Sequence, residues 1–225
     1  MRRSVCLGKC SLMVVMLLGM AFGGMEQLIA ETLALDFTGG STFETGNSTT
    51  LGWRFDVLSG IDVVALGYWD EGSDGLIESH PVGLWTDSGT LLASTVVDNT
   101  SSAIASSEVS GRWLFESIPL LFLSPGLYVV GGQINPSFSF PHDPVRAGTD
   151  TPITTPEVAF DVALSGTSST LGLNFPNNQQ APGFNSYFGP NFLIGEPIPE
   201  PSTFVLFLTG ILGVSGYGYW RRKSV

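Results

Sequence analysis

"TLGWRFDV", residues 50–57, places Leu51, Trp53, Phe55 and Val57 on one side of an extended chain. Gly52, Arg54 and Asp56 fall on the other. This period of two is the mark of a half-buried strand, and no stretch of the chain shows a comparable amphipathic helical period. "IDVVALGYW" (61–69) is apolar throughout and is expected to be a central strand. "PVGLWT" and "TLLASTVV" flank Asp87-Ser88-Gly89, which reads as a hairpin with a short glycine-containing turn. "GRWLFESI", "GLYVVGGQI" (introduced by Ser124-Pro125-Gly126) and "EVAFDVAL" complete the candidates. Short strands separated by turn signals predict an all-β domain, an antiparallel β-sandwich or jelly roll and not a βαβ repeat. From Asn135 to Pro156 five prolines interrupt the pattern, and the stretch is expected to be one long loop. "NFPNNQQAPGFNSYFGPNFLIGEP" is rich in Asn, Gly and aromatics, and its end reads as a last strand or a stalk.

The two ends differ from this middle. "MRRSVCLGKC" is basic, and "SLMVVMLLGMAFGG" has about the length of a signal-peptide apolar region, short of the roughly 20 residues of a spanning helix. Residues 1–30 are expected to be a signal peptide ending at Gly23, Gly24 or Ala30, with an uncleaved anchor as the alternative. Near the other end, Thr203 to Trp220 carries no charge and is followed at once by Arg221, Arg222 and Lys223. The positive-inside rule holds those three cations in the cytoplasm and residues 31–200 outside. A buried core helix is the alternative, and it would need partners for the triple cation. The expected organisation is therefore a signal peptide (1–30), a β-sandwich domain (31–194), a linker (195–202) and a single transmembrane segment with a basic tail (203–225). About 165 residues between the ends suffice for one well-formed core.

Charge and cysteine usage narrow the chemistry. Residues 31–200 hold 19 of the 20 acidic groups and only Arg54, Arg112 and Arg146, a net of −16. Such a surface repels phosphate backbones and argues against nucleic-acid binding. The two cysteines, Cys6 and Cys10, lie in the N-terminal basic region, so a mature chain would carry no cysteine nucleophile, disulfide or thiolate zinc site. A lipoprotein cysteine would follow the apolar run, and Cys10 precedes it.

Candidate sites are few. "DEGSDG" (70–75) sets Asp70, Gly72 and Asp74 at alternate positions before Gly75, in the manner of a calcium loop. Gly72 replaces a donor there, and Pro81 stands where the bidentate Glu belongs. A glycine-rich solvated turn is the plainer reading. In the metal reading Asp70, Asp74 and His80 would be the ligands of a calcium ion; otherwise His80 pins the loop by hydrogen bonds. His142-Asp143 is adjacent in sequence, and adjacent residues rarely orient one another. Neither G-x-S-x-G nor H-E-x-x-H occurs, no carboxylate pair stands out, and "VVGGQI" lacks the Lys and helix of a phosphate loop. No catalytic residue is assigned. Among Trp53, Tyr68, Trp69, Trp85 and Trp113, alternation sends most to the core, and Trp69 and Trp85 are the better candidates for exposure to a sugar ring.

Pro199-Glu200-Pro201, followed by Ser202-Thr203, an apolar run and Arg221-Arg222-Lys223, resembles the PEP-CTERM sorting signal over about the last 27 residues. That resemblance implies export in a bacterium that makes extracellular polysaccharide, and processing near the motif by an exosortase-type enzyme. The prolines hold Glu200 extended outside the apolar segment, within an enzyme's reach. A second resemblance spans about residues 41–135. Leu66-Gly67-Tyr68, Gly72-Ser73-Asp74-Gly75-Leu76, His80, Val82-Gly83-Leu84-Trp85, Asp87-Ser88-Gly89 and Leu91 to Val97 are similar to a domain of unknown function in secreted bacterial proteins. It implies a β-sandwich and no known catalysis. Together these give the expectation of a cell-surface or biofilm-matrix protein, structural or adhesive, associated with exopolysaccharide. The rivals are a carbohydrate-binding module with a calcium-braced loop and an enzyme of unrecognised type.

Overall fold

The computed structural model describes residues 29–45, 47–134, 143–166, 172–180 and 186–197. Ala30–Glu196 forms one compact unit. The strands, in chain order, are β1 (Ile29–Leu33), β2 (Leu35–Thr38), β3 (Ser41–Phe43), β4 (Thr49–Val57), β5 (Ile61–Glu71), β6 (His80–Thr86), β7 (Leu91–Val97) and β8 (Ser102–Ala105). They continue with β9 (Gly111–Leu123), β10 (Gly126–Ile134), β11 (Val145–Gly148), β12 (Thr151–Thr154), β13 (Val158–Ser165), β14 (Asn178–Gln179), β15 (Ser186–Phe188) and β16 (Pro190–Pro197). No helix occurs among the described residues.

A five-stranded sheet runs β1-β16-β5-β9-β8, and a six-stranded sheet runs β14-β13-β4-β10-β6-β7. Two small sheets, β15-β11-β3 and β12-β2, complete the all-β fold. The registered pairings, such as Val130↔Trp53 and Tyr68↔Leu114, are antiparallel. Alternation sets the core as expected: Leu51, Trp53, Phe55 and Val57 are all buried. Trp53 stacks on Phe192 with ring centres 5.8 Å apart, and Phe55 approaches the same ring to 4.8 Å. These rings join β4 of the large sheet to β16 of the other, and Trp53 Nε1 donates to the Pro190 carbonyl at 2.9 Å. Buried aromatic area of this kind contributes most to such a core.

β5 lies between β16 and β9, the central place its apolar run calls for. β6 and β7 form the expected hairpin, in which Gly89 N donates to Thr86 O at 2.9 Å. Two expectations need correction. The proline-rich stretch 135–156 is not one loop: β11 and β12 lie within it, and residues 135–142 lie outside the described ones. Short strands in small sheets escape a periodicity test, and Pro152 sits in β12 because a two-stranded sheet leaves each strand one open edge. The linker also starts later than expected, because β16 runs to Pro197, with Gly195 paired to Asp62. The end of that segment is thus a last strand, set inside the five-stranded sheet between β1 and β5.

Candidate functional site

His80 opens β6 and is fully buried between two acceptors. Nδ1 lies 2.8 Å from the Gln133 carbonyl, and Nε2 lies 2.9 Å from Asp143 Oδ2. A carbonyl and an ionised carboxylate only accept, so each ring nitrogen faces an acceptor. Asp143 also receives Ile77 N–H at 2.9 Å and Glu78 N–H at 3.1 Å. Burial raises the Asp143 pKa, but the hydrogen bonds from His80, Ile77 and Glu78 outweigh it and hold the carboxyl below its ordinary value. Tyr68, from β5, stacks flat on the imidazole, 3.8 Å between centres and 3° from parallel. Its hydroxyl is buried without a hydrogen-bond partner among the described residues. Burial first, then the Asp143 and Glu78 charges, push the phenol well above its usual range. Beside the cluster, Gln133 Nε2 donates to Ser48 Oγ at 2.6 Å, both side chains buried.

This cluster ties the segment before β6 to the end of β10 and the residue leading into β11. In a catalytic pair one imidazole nitrogen faces a nucleophile. Here both nitrogens are engaged by Gln133 and Asp143, and the ring is enclosed. The arrangement holds elements together. Sequence reasoning recognised His80 as a pin but missed Asp143 as its partner, 63 residues away; His142 lies outside the described residues.

The acidic loop has different partners. Asp70 is buried, with Oδ2 2.7 Å from Arg112 Nε and Oδ1 accepting from Gly75 N at 3.1 Å. Asp74 is exposed. Gly75 has φ +100°, and a Cβ there would meet Asn99 Oδ1 at 2.2 Å, so the turn requires glycine. Among the described residues no three His, Cys, Asp or Glu side chains form a group able to hold a metal. Asp70 and His80 are drawn to separate partners, Arg112 and Asp143.

Comparison with protein-family models, curated proteins and solved structures gave no match.

The expected exposure of Trp69 and Trp85 is corrected: both are buried. Trp69 packs edge-on against Phe37 of β2 at 4.8 Å and Trp113 at 5.1 Å, and its indole N–H donates to Glu71 at 2.6 Å. Glu71 in turn pairs with Arg146 of β11 at 3.2 Å. Trp85 does face outward from the six-stranded sheet, but Phe175 and Leu173 cover it, together with Val129 and Leu164. The segment 172–177 forms a strap over that face. It sits on a row of glycines in register, Gly52, Gly131 and Gly83 of β4, β10 and β6. A Cβ on Gly131 would lie 3.0 Å from Pro176 Cγ, and one on Gly83 would lie 2.9 Å from Leu173. Neither indole presents a face to a pyranose ring in this structure. Pro199, Glu200, Pro201, Arg221, Arg222, Lys223 and the apolar run Thr203 to Trp220 lie outside the described residues. No helix among the described residues is long and apolar enough to cross a membrane.

Proposed function

We propose that this is an exported protein, delivered to the cell surface or extracellular matrix by a PEP-CTERM-type tail, whose β-sandwich or jelly-roll-like domain has a structural or adhesive role. One observation carries the reading. Pro199-Glu200-Pro201 precedes an uncharged run and Arg221-Arg222-Lys223, while a basic and apolar signal-like segment stands at the opposite end. Both ends ask for the same topology, with the cysteine-free acidic stretch outside. The fold supports the structural role: sheets share one aromatic core, and the buried His80–Asp143 pair serves packing. The partners in this reading are a membrane, an exosortase-type enzyme and extracellular polysaccharide. Intact-mass measurement of the mature protein from its native cells tests it. Loss of the N-terminal segment and a cut near Pro199 to Pro201 are expected. Persistence of residues 203–225 in every mature molecule would refute the processing step.

A further inference from the structure

One end of the domain carries an apolar cluster that folding leaves uncovered. Phe122 is 64% exposed, Leu120 61% and Leu58 56%. Single exposed apolar side chains are ordinary, but these three fall at the same end of the strands that carry them. Leu58 follows β4 directly, and Phe122 pairs across from Asp62 at the start of β5. The Phe122 ring lies over Gly60, where a Cβ would come within 2.8 Å of its tip. Leu120 is pushed outward by an irregularity: Ser117 pairs with Ala65 and Leu121 with Val63, so Ile118, Pro119 and Leu120 all stand opposite Val64.

The chain leaves the domain at this same end. Gly195 of β16 pairs with Asp62 from the other side, so Gly195, Asp62 and Phe122 form one row across three strands. Ordinary strand spacing puts Gly195 and Phe122 about 10 Å apart. Five residues, 198–202, separate Pro197 from the start of the uncharged run at Thr203. Fully extended, they reach no further than about 20 Å. An anchor in that run would keep the Leu58–Phe122 end, where the chain leaves the domain, within reach of the headgroup layer.

We infer that Leu58, Leu120 and Phe122 form a membrane-contacting tip that rests shallowly on the lipid interface in the anchored form of the protein. The inference rests on the proposed C-terminal anchor. Aromatic and aliphatic side chains favour the interfacial region, whereas the domain's acidic surface opposes deeper burial in anionic lipid. Asp62, beside Phe122, keeps the border of the tip polar. The cysteine-free stretch from 31 to 200 makes the contact measurable one position at a time.

The test uses the full chain carrying Cys6→Ser and Cys10→Ser, reconstituted into vesicles of phosphatidylethanolamine and phosphatidylglycerol. A polarity-sensitive fluorophore is attached at Phe122→Cys, Leu58→Cys or Val109→Cys. Val109 is 96% exposed and lies near Gly111, which pairs with Glu71 at the far end of β5. The expected result is flotation with the vesicles, blue-shifted emission and protection from an aqueous quencher at 58 and 122, and full quenching at 109. Flotation with all three positions equally quenched overturns the tip and leaves the anchor standing. Absence of flotation removes the anchor, and the tip with it. Ready disulfide formation between copies of the unlabelled Phe122→Cys chain in those vesicles overturns the lipid contact in favour of a second copy of the chain.

Discussion

At the scale of single residues, Asp143 joins His80 to the segment that leads into β6. It is a buried carboxylate with His80 and two backbone N–H groups aimed at it. Removing the carboxylate leaves the buried His80 Nε2 and two backbone N–H groups without their acceptor, so Asp143→Ala should cost about 3–5 kcal/mol, read as a lower urea midpoint at unchanged slope. The same contacts set a pH dependence. The ordinary carboxyl value is 3.8, and the folded value of Asp143 lies below it. A depressed folded pKa adds stability that is fully present above the unfolded value and lost as pH falls through the folded one. Asp36, held down against burial by Ser106, Ser107 and Trp113, adds to the same acid limb. Thermal midpoints followed downward from about pH 5 should fall in the wild type and fall less steeply in Asp143→Asn, with the Asp36 share remaining. Equal slopes would show that the pair does not carry this dependence. His80 could be recognised in the sequence as a pin before Pro81. Asp143 could not, because its role arises from a contact between residues 63 apart.

At the scale of elements, alternation reported which way a side chain points and said nothing of what lies above it. β4, β5, β6, β7, β9, β10 and β13 were legible because each is an alternating or apolar run bounded by turn residues. Trp85 was expected to be exposed, yet the strap at 172–177 covers it, and nothing local to Trp85 encodes that cover. Trp69 likewise points away from Tyr68, and Phe37 of β2, thirty-two residues earlier, closes over it. The small strands β3, β11, β12, β14 and β15 are two to four residues long, too short for a period to show. The strap makes a separable prediction. Gly131→Val adds atoms within 3.0 Å of Pro176 and 2.9 Å of Thr50, so the strap must lift. Overpacking should cost about 1–3 kcal/mol. Acrylamide quenching of tryptophan emission should rise in Gly131→Val and in Phe175→Ala, and adding Trp85→Phe should abolish the rise in both. A rise that survives Trp85→Phe would mean that the strap does not shield this indole.

At the scale of the whole molecule, the proposed export leaves Arg221, Arg222 and Lys223 in the cytoplasm and the acidic stretch 31–200 outside it. If Arg221, Arg222 and Lys223 act as the retaining charges, their effect is local to the membrane boundary and independent of the fold. Alkaline phosphatase, active only outside the cytoplasm, should be inactive when fused after Val225 and active when inserted beside the exposed Val109. Replacing the three cations with Asn should raise the activity of the C-terminal fusion several-fold and leave the internal one unchanged. An inactive internal fusion would place the acidic domain in the cytoplasm and remove the basis for export. The domain's own geometry makes that separation useful. β16 delivers the chain to the Leu58–Phe122 end, while the His80–Asp143 cluster and the Asp70–Arg112 pair lie toward the other end of β5. Processing at Pro199 to Pro201 would act past the end of a strand held from both sides by β1 and β5, so a cut there releases the domain without opening its core.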